Sequence, residues 1–484
     1  MLKKARDYEA LNGAAVPEKE RPAVHLTPYI GWMNDPNGFS FYKGQVHMFY
    51  QYWPYDINWG PMHWGHAVTE DLMHWTYLPC ALAPDMPYES GCYSGTAAQD
   101  GEGRHVLMYT AHLNEPKRQQ QCMAYGDGEN YVKETRNPVI PSDMLPEEID
   151  PAAFRDPKLF YRWGRWNCLT VAKDRQGMGR VLYFTSQDLK DWTYRGAVLL
   201  SDEDHGRMWE CPDLIFTDEG EILCVSCEQL PEGRKYPGGH EVLFFAGRFD
   251  PEKGTFVPDG DWQMPDIGPD FYAPETLKLP DGRNILIGWL QNWDNRRDPK
   301  CDRLNTPSHF RWAGMMTVPR QIFLKDGKVC MLPVRELEDV LDGGVCEETV
   351  LSREQKEIEG VRGRTAYMEL DLEAGNAQSV TMRFAKNDAY ETRLVWEPAK
   401  KTLTLDRRDA GMDPVFSGVR VMHLEDSESL SLKILLDRFS AEIFLADGTQ
   451  AMTASVFTPQ EAEGITFCAD KDAKMRIRCR QITK

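Results

Sequence analysis

The sequence predicts an all-β protein, a five-bladed β-propeller followed by a C-terminal β-sandwich. Three observations predict it. At 484 residues the chain exceeds one ordinary domain. A hairpin signature recurs about every sixty residues through its first two-thirds. Beyond residue 334 the strand texture changes to a regular alternation of apolar and polar positions.

The hairpin signature is clearest at Thr69-Glu70-Asp71-Leu72-Met73-His74-Trp75-Thr76-Tyr77. It returns as Ser186-Gln187-Asp188-Leu189-Lys190-Asp191-Trp192-Thr193-Tyr194, with looser copies at Asp127–Tyr131 and Asp250–Phe256. The aspartates are separated by 56, 61 and 62 residues. In each copy a strand runs into a polar turn opened by Asp and then into an aromatic-bearing strand. Repeats of this length built from short strands fit propeller blades, whereas solenoid repeats contain helices or are much shorter.

The elements follow in order. Residues 1–21 form a polar, charged arm with no apolar core for a signal peptide. Residues 22–333 read as the propeller, with strands such as Val46–Tyr52, Val106–Ala111, Leu159–Arg162, Val181–Ser186 and Ile285–Leu290. Residues 334–346 form a linker with a short helix ended by Gly343-Gly344. Residues 347–484 alternate apolar and polar positions, as in Ala366–Leu372 and Ser429–Leu436, which is sandwich patterning.

Composition narrows the function. With 42% hydrophobic and 27% charged residues the chain buries real cores. A net charge of -19 argues against nucleic acid and anionic membranes as partners. No run reaches the about 18 apolar residues of a membrane span. A cytoplasmic location follows as the expectation, with the 12 cysteines as reduced thiols. Cys224 and Cys227 form a lone C-x-x-C inside a strand-like run, with no second pair at metal spacing. No metal and no cofactor are expected.

Three acids stand at strand–loop junctions near blade boundaries. Asp35 lies in Trp32-Met33-Asn34-Asp35-Pro36-Asn37-Gly38, Asp156 in Arg155-Asp156-Pro157, and Glu210 in Trp209-Glu210-Cys211-Pro212. Each alone reads equally well as turn chemistry. Together, at blade spacing and among aromatics, they suit glycosidic hydrolysis, which needs carboxyl groups on both sides of the scissile bond.

On these motifs the chain resembles glycoside hydrolase family 32, the invertases, sucrose-6-phosphate hydrolases and fructan hydrolases. Further matches are Phe49-Tyr50-Gln51-Tyr52, Trp64-Gly65-His66-Ala67, Tyr93-Ser94-Gly95-Thr96, Asp270-Phe271-Tyr272-Ala273-Pro274 and the tail segment Asp437–Phe444. The segment from Pro54 to Ala67 is especially similar to bacterial sucrose-6-phosphate hydrolases. The resemblance implies a propeller plus sandwich and retaining cleavage of terminal β-D-fructofuranosides. By it, Asp35 is the nucleophile, Glu210 the general acid and base, and Asp156 the transition-state stabiliser. It assigns fructose binding to Asn34, Gln51, Ser94 and Arg155, with Trp32 in the same motif and Trp59, Tyr93, Tyr272 and Trp289 as apolar walls.

Two electrostatic expectations accompany these roles. Glu210 keeps its proton, helped by burial beside Trp209 and by a neighbouring negative charge, and Arg155 keeps Asp156 ionised. Thr96 and Glu275 depart from the residues common in the family, and Glu275 is expected to add charge near the site. Lys117, Arg118, Arg234, Lys235, Arg296 and Arg297 are the basic residues available to a phosphate. The expected partner is a small sugar, sucrose, sucrose 6-phosphate or a short fructo-oligosaccharide, bound by a monomer or homodimer. The rival readings are an inverting propeller glycosidase acting on arabino- or xylo-oligosaccharides, and a non-catalytic carbohydrate-binding protein.

Overall fold

The computed structural model describes all residues except 203, 232–237, 299–302, 305, 412–417, 427 and 484, and only the backbone of 295–298, 303 and 304. Five antiparallel four-stranded blades carry the first two-thirds of the chain. Blade I comprises Gly31–Tyr42, Gln45–Trp53, His63–Thr69 and Thr76–Leu82, and blade II Gly91–Gln99, His105–Leu113, Arg118–Gly126 and Tyr131–Lys133. Blade III comprises Ile149–Arg162, Arg165–Asp174, Gly179–Ser186 and Trp192–Leu200. Blade IV holds Met208–Phe216, Glu221–Leu230, Gly239–Asp250 and Thr255–Pro258. Blade V holds Tyr272–Lys278, Asn284–Trp289, Arg320–Lys325 and Lys328–Pro333. The first strand of each blade lies against the first strand of the next, and the fifth against the first, which closes a ring.

The repeated aspartates explain themselves at the outer hairpins. Oδ1 of Asp71, Asp127, Asp188 and Asp250 each accepts two backbone N–H groups from the following turn. This is an Asx turn, in which a short carboxylate replaces missing ladder partners. Blade V ends instead in the two-residue turn Asp326-Gly327, both at positive φ (50° and 74°).

 At those angles the pair adopts the mirror-image turn that matches strand twist, so the fifth copy lacks the longer loop that reveals the other four.

The ring is latched by Gly31 and Trp32, which pair in parallel with Trp312 and Ala313 from the long connection inside blade V. Gly314 follows at φ +87°, and a Cβ there would sit 1.9 Å from the Met33 carbonyl oxygen. Only glycine fits so close to the strand that carries Asp35.

The C-terminal part forms two packed sheets. One has six strands, Leu341–Leu351, Ala473–Ile482, Ala366–Glu373, Ser429–Asp437, Ser440–Leu445 and Ala451–Ser455. The other has five, Val419–His423, Thr402–Asp406, Thr392–Glu397, Val380–Lys386 and Gly464–Ala469. The short helix before them is a 3-10 segment, Arg335–Val340. Gly343-Gly344 sits within the first sandwich strand, at a shift of register between Asp342 and Val345.

The polar arm contains an α-helix, Leu2–Asn12. Its only buried residues are Ala5 and Glu9, so it shows little apolar periodicity. Glu9 accepts the Cys80 backbone N–H at 2.9 Å, and this docks the helix on blade I.

Buried charge joins propeller to sandwich. Asp437 accepts the backbone N–H groups of Ala23 and Val24 at 2.7 and 2.9 Å. His25 bridges Asp437 (2.8 Å) and Glu442 (2.6 Å), and Arg320 spans Asp266 (2.7 Å) and Glu442. Burial opposes charge on His25, but its two carboxylate partners prevail and push it up to about 9.

Candidate active site

A cavity of about 640 Å³ opens at the hub of the ring, where the inner strands meet. Each inner strand breaks register there: between Met33 and Pro36, Tyr93 and Gly95, Arg155 and Lys158, Glu210 and Asp213, and Tyr272 and Glu275. A bulge re-aims side chains that would otherwise alternate across the strand. Asp156, Cys211 and Ala273, each followed by proline, take left-handed φ values of 61°, 47° and 49°. Such strain in three neighbouring blades marks a functional centre.

The three acids all line this cavity. Asp35 accepts the Ser94 hydroxyl at 2.6 Å and the Asn34 amide at 3.0 Å. Trp32 donates its indole N–H to Asn34 Oδ1 at 2.7 Å, which fixes the amide's orientation. Asp156 accepts the Cys211 backbone N–H at 3.0 Å, the donor exposed by the left-handed turn. Glu210 receives Arg155 on Oε1 (2.9 and 3.2 Å) and the Tyr272 hydroxyl on Oε2 (2.7 Å). The Cys211 thiol lies 3.8 Å from Asp35 and 3.7 Å from Asp156.

Both electrostatic expectations are corrected. Arg155 reaches Glu210 and Glu228 (3.2 Å), while its closest approach to Asp156 is 3.8 Å. Burial raises the Glu210 carboxyl, but Arg155 and Tyr272 outweigh it and hold the group below its usual range. Trp209 gives no shelter, because its indole points to the other side of the strand and donates to the His205 carbonyl at 2.8 Å. Burial and the Glu210 charge push Asp35 up to about 6. Burial, opposed by Arg155, leaves Asp156 at about 7. Within the buried cluster a proton is therefore favoured on the aspartates over Glu210.

Asn34, Gln51, Trp59, Tyr93, Ser94 and Arg155 line the cavity. Trp32, Tyr272 and Trp289 do not. All three are fully buried behind its wall. Trp293 takes the wall position, stacked on Trp32 with ring centroids 6.1 Å apart. Glu275 lies near the site, as expected, but outside the cavity itself. It lies below the floor, where it accepts the Phe39 N–H at 3.0 Å and approaches Lys158 at 3.6 Å. Burial pushes it up to about 7 despite that lysine.

Glu228, His240 and Trp293 belong to the cavity and were missed, since nothing in their local sequence distinguishes them from ordinary loop and strand residues. Lys117 lines the rim, joined by Lys173. Arg234 and Lys235, and the side chains of Arg296 and Arg297, lie outside the described residues. Among the described residues no group of three or more His, Cys, Asp or Glu is placed to hold a metal ion. No described helix is long and apolar enough to cross a membrane.

Comparison with known proteins gives a consistent set of relatives. Residues 25–333 match the model of the glycosyl hydrolases family 32 N-terminal domain, and residues 336–481 match that of the family's C-terminal domain. A sucrose-6-phosphate hydrolase of Zymomonas mobilis is 35% identical, covering 95% of this chain and 92% of its own. A raffinose invertase of Escherichia coli is 31% identical over 93% of this chain and 92% of its own. Among solved structures, a Bombyx mori GH32 beta-fructofuranosidase superimposes with a TM-score of 0.84 at 30% identity, covering 100% of this chain and 98% of that one. A mutant of that enzyme in complex with sucrose gives the same score at 29% identity, with the same coverage.

Proposed function

The chain belongs to glycosyl hydrolase family 32, and on that premise we propose how its cavity carries out retaining hydrolysis of terminal β-D-fructofuranosides. One observation carries the assignment of roles: three acids from three different inner strands converge on one cavity, each held by its own set of donors.

Asp35 attacks C2 of the fructosyl unit. A C2–O ester forms as the glycosidic C2–O bond breaks, and Glu210 gives its proton to the leaving oxygen. Water then attacks C2, Glu210 takes back a proton, and the ester opens to release fructose and free Asp35. Asp156 accepts fructose hydroxyls, and its charge stabilises the oxocarbenium-like transition state. Asn34 and Ser94 aim Asp35, while Gln51, Trp59, Tyr93 and Arg155 shape the fructose pocket.

This route needs the first proton on Glu210, whereas the protein groups alone favour one on the aspartates. Substrate binding supplies the transfer. Fructose hydroxyls donating to Asp156, and an anomeric carbon gaining positive charge beside Asp35, both favour ionised aspartates. The proton then belongs on Glu210, where the leaving oxygen receives it.

For the leaving group we propose glucose or glucose 6-phosphate, supported by the sucrose-6-phosphate hydrolases among the relatives. A cytoplasmic location is the matching proposal, supported by the described cysteines, all of which are free thiols. The mechanism is tested by NMR of the first-formed product. Retention gives β-fructofuranose first, and an inverted anomer sinks the double displacement. Glu210→Gln is expected to lower kcat about 10²–10⁴-fold. Asp35→Asn is expected to lose more, since no covalent route remains. Relative kcat/KM for sucrose, sucrose 6-phosphate, kestose and inulin fixes the leaving group.

A further inference from the structure

Beyond Glu210, blade IV places further polar residues in the cavity lining on successive strands, Glu228 and Gln229 on the second and His240 on the third. Arg155 joins Glu228 to Glu210, and His240 faces both carboxylates, so a sugar whose oxygen takes its proton from Glu210 departs beside them.

His240 is built into position from the next blade. Asp294 accepts both its Nδ1–H (2.7 Å) and its backbone N–H (2.7 Å). Asn292 donates to the His240 carbonyl at 2.7 Å and accepts the Asp294 N–H at 2.9 Å. Gly239 makes this approach possible: at φ +98° it has no side chain, and a Cβ there would sit 2.1 Å from Asp294 Oδ2. With Nδ1 occupied, Nε2 is the remaining polar atom of the ring, and no hydrogen bond to it occurs among the described residues. The groups facing His240 are Asp294, Glu210, Glu228 and the Tyr272 ring, whose centroid is 5.7 Å away. The two glutamates and Asp294 favour the imidazolium.

We infer that His240 is a specificity-determining residue that donates Nε2–H to a hydroxyl of the leaving sugar, that Glu228 accepts from a neighbouring hydroxyl, and that Asp294 is the positioning residue. The inference rests on the fructosidase reading above. A donor beside a carboxylate matches a neutral polyol, and Glu228 disfavours a phosphate at this point of the cavity.

The test compares sucrose with methyl β-D-fructofuranoside, whose leaving group carries no further hydroxyl. His240→Ala is expected to lower kcat/KM for sucrose about ten- to hundredfold, the worth of one hydrogen bond from a charged donor. The loss on the methyl glycoside is expected to be at least tenfold smaller. His240→Gln, which keeps a donor, recovers a large part of the sucrose loss. Asp294→Asn is expected to give the same bias, and to move the alkaline limb of the sucrose pH profile downward relative to the methyl glycoside. Equal losses on both substrates, or a sucrose loss under threefold, overturn the inference alone. A wild-type enzyme that cleaves neither substrate overturns the fructosidase reading and this inference with it. If His240→Ala fails to fold, Asp294→Asn with an unchanged circular dichroism spectrum carries the comparison.

Discussion

Tyr272→Phe isolates one hydrogen bond at the proposed acid and base. The ring is fully buried and remains in place, so no cavity forms and only the hydroxyl is lost. That hydroxyl donates to Glu210 Oε2 at 2.7 Å, whereas Arg155 continues to hold Oε1. A donor to a carboxylate favours the ionised form by about 1.5–3 kcal/mol. Removing it therefore shifts the Glu210 protonation equilibrium toward the acid, about ten- to hundredfold for that microscopic step. Coupling to Asp35 and Asp156 spreads part of the change over the cluster. The expected outcome is an alkaline limb of kcat/KM on sucrose that moves to higher pH. The assay is a pH profile of wild type and variant between about pH 5 and about pH 9. A limb that stays in place, or moves to lower pH, refutes the proposed role of this hydrogen bond.

Three further outcomes follow from the packing. Asp437→Ala leaves the buried His25 cation short of a partner and removes the carboxylate that accepts the backbone N–H groups of Ala23, Val24, His25 and Arg438, and is expected to cost about 3–5 kcal/mol in urea unfolding. A loss below about 1 kcal/mol contradicts the docking role. Glu9→Gln is expected to stabilise the protein in alkali, because burial pushes the Glu9 carboxyl up to about 7. The cost of ionising it is absent below pH 4.5 and grows through pH 7, so the gain is about 3 kcal/mol at pH 8 and near zero at pH 4. A gain independent of pH excludes that cause. Gly314→Ala combines left-handed strain with a collision at the Met33 carbonyl, and is expected to lose at least about 2 kcal/mol together with most turnover. Normal kcat in a stable variant refutes the link between the latch and Asp35.

Much of this architecture is readable in the chain because it is local. The Asx-turn aspartates recur at blade spacing since each closes its own hairpin, and the acid motifs recur since each builds one bulge. The arm helix escapes notice because it buries only Ala5 and Glu9 on a polar surface. The His240–Asp294 clamp escapes for a different reason: its members lie on separate blades, and neither stands in a distinctive motif. Trp289 and Trp293 illustrate the same limit. Both are aromatic and four residues apart, and only the fold decides which faces the cavity. The position of the proton was also illegible, since it depends on Arg155 choosing Glu210 over its own neighbour Asp156.

The latch has a consequence for biosynthesis. The strand bearing Asp35 leaves the ribosome some 280 residues before its edge partner, Trp312-Ala313. The acceptor for Ala23 and Val24, Asp437, emerges later still. Contacts of such sequence separation make closure a slow, late event. A nascent chain that has already made all three acids therefore carries no assembled site. Fructoside cleavage begins only when the ring is shut and the sandwich has arrived to hold its first strand in place.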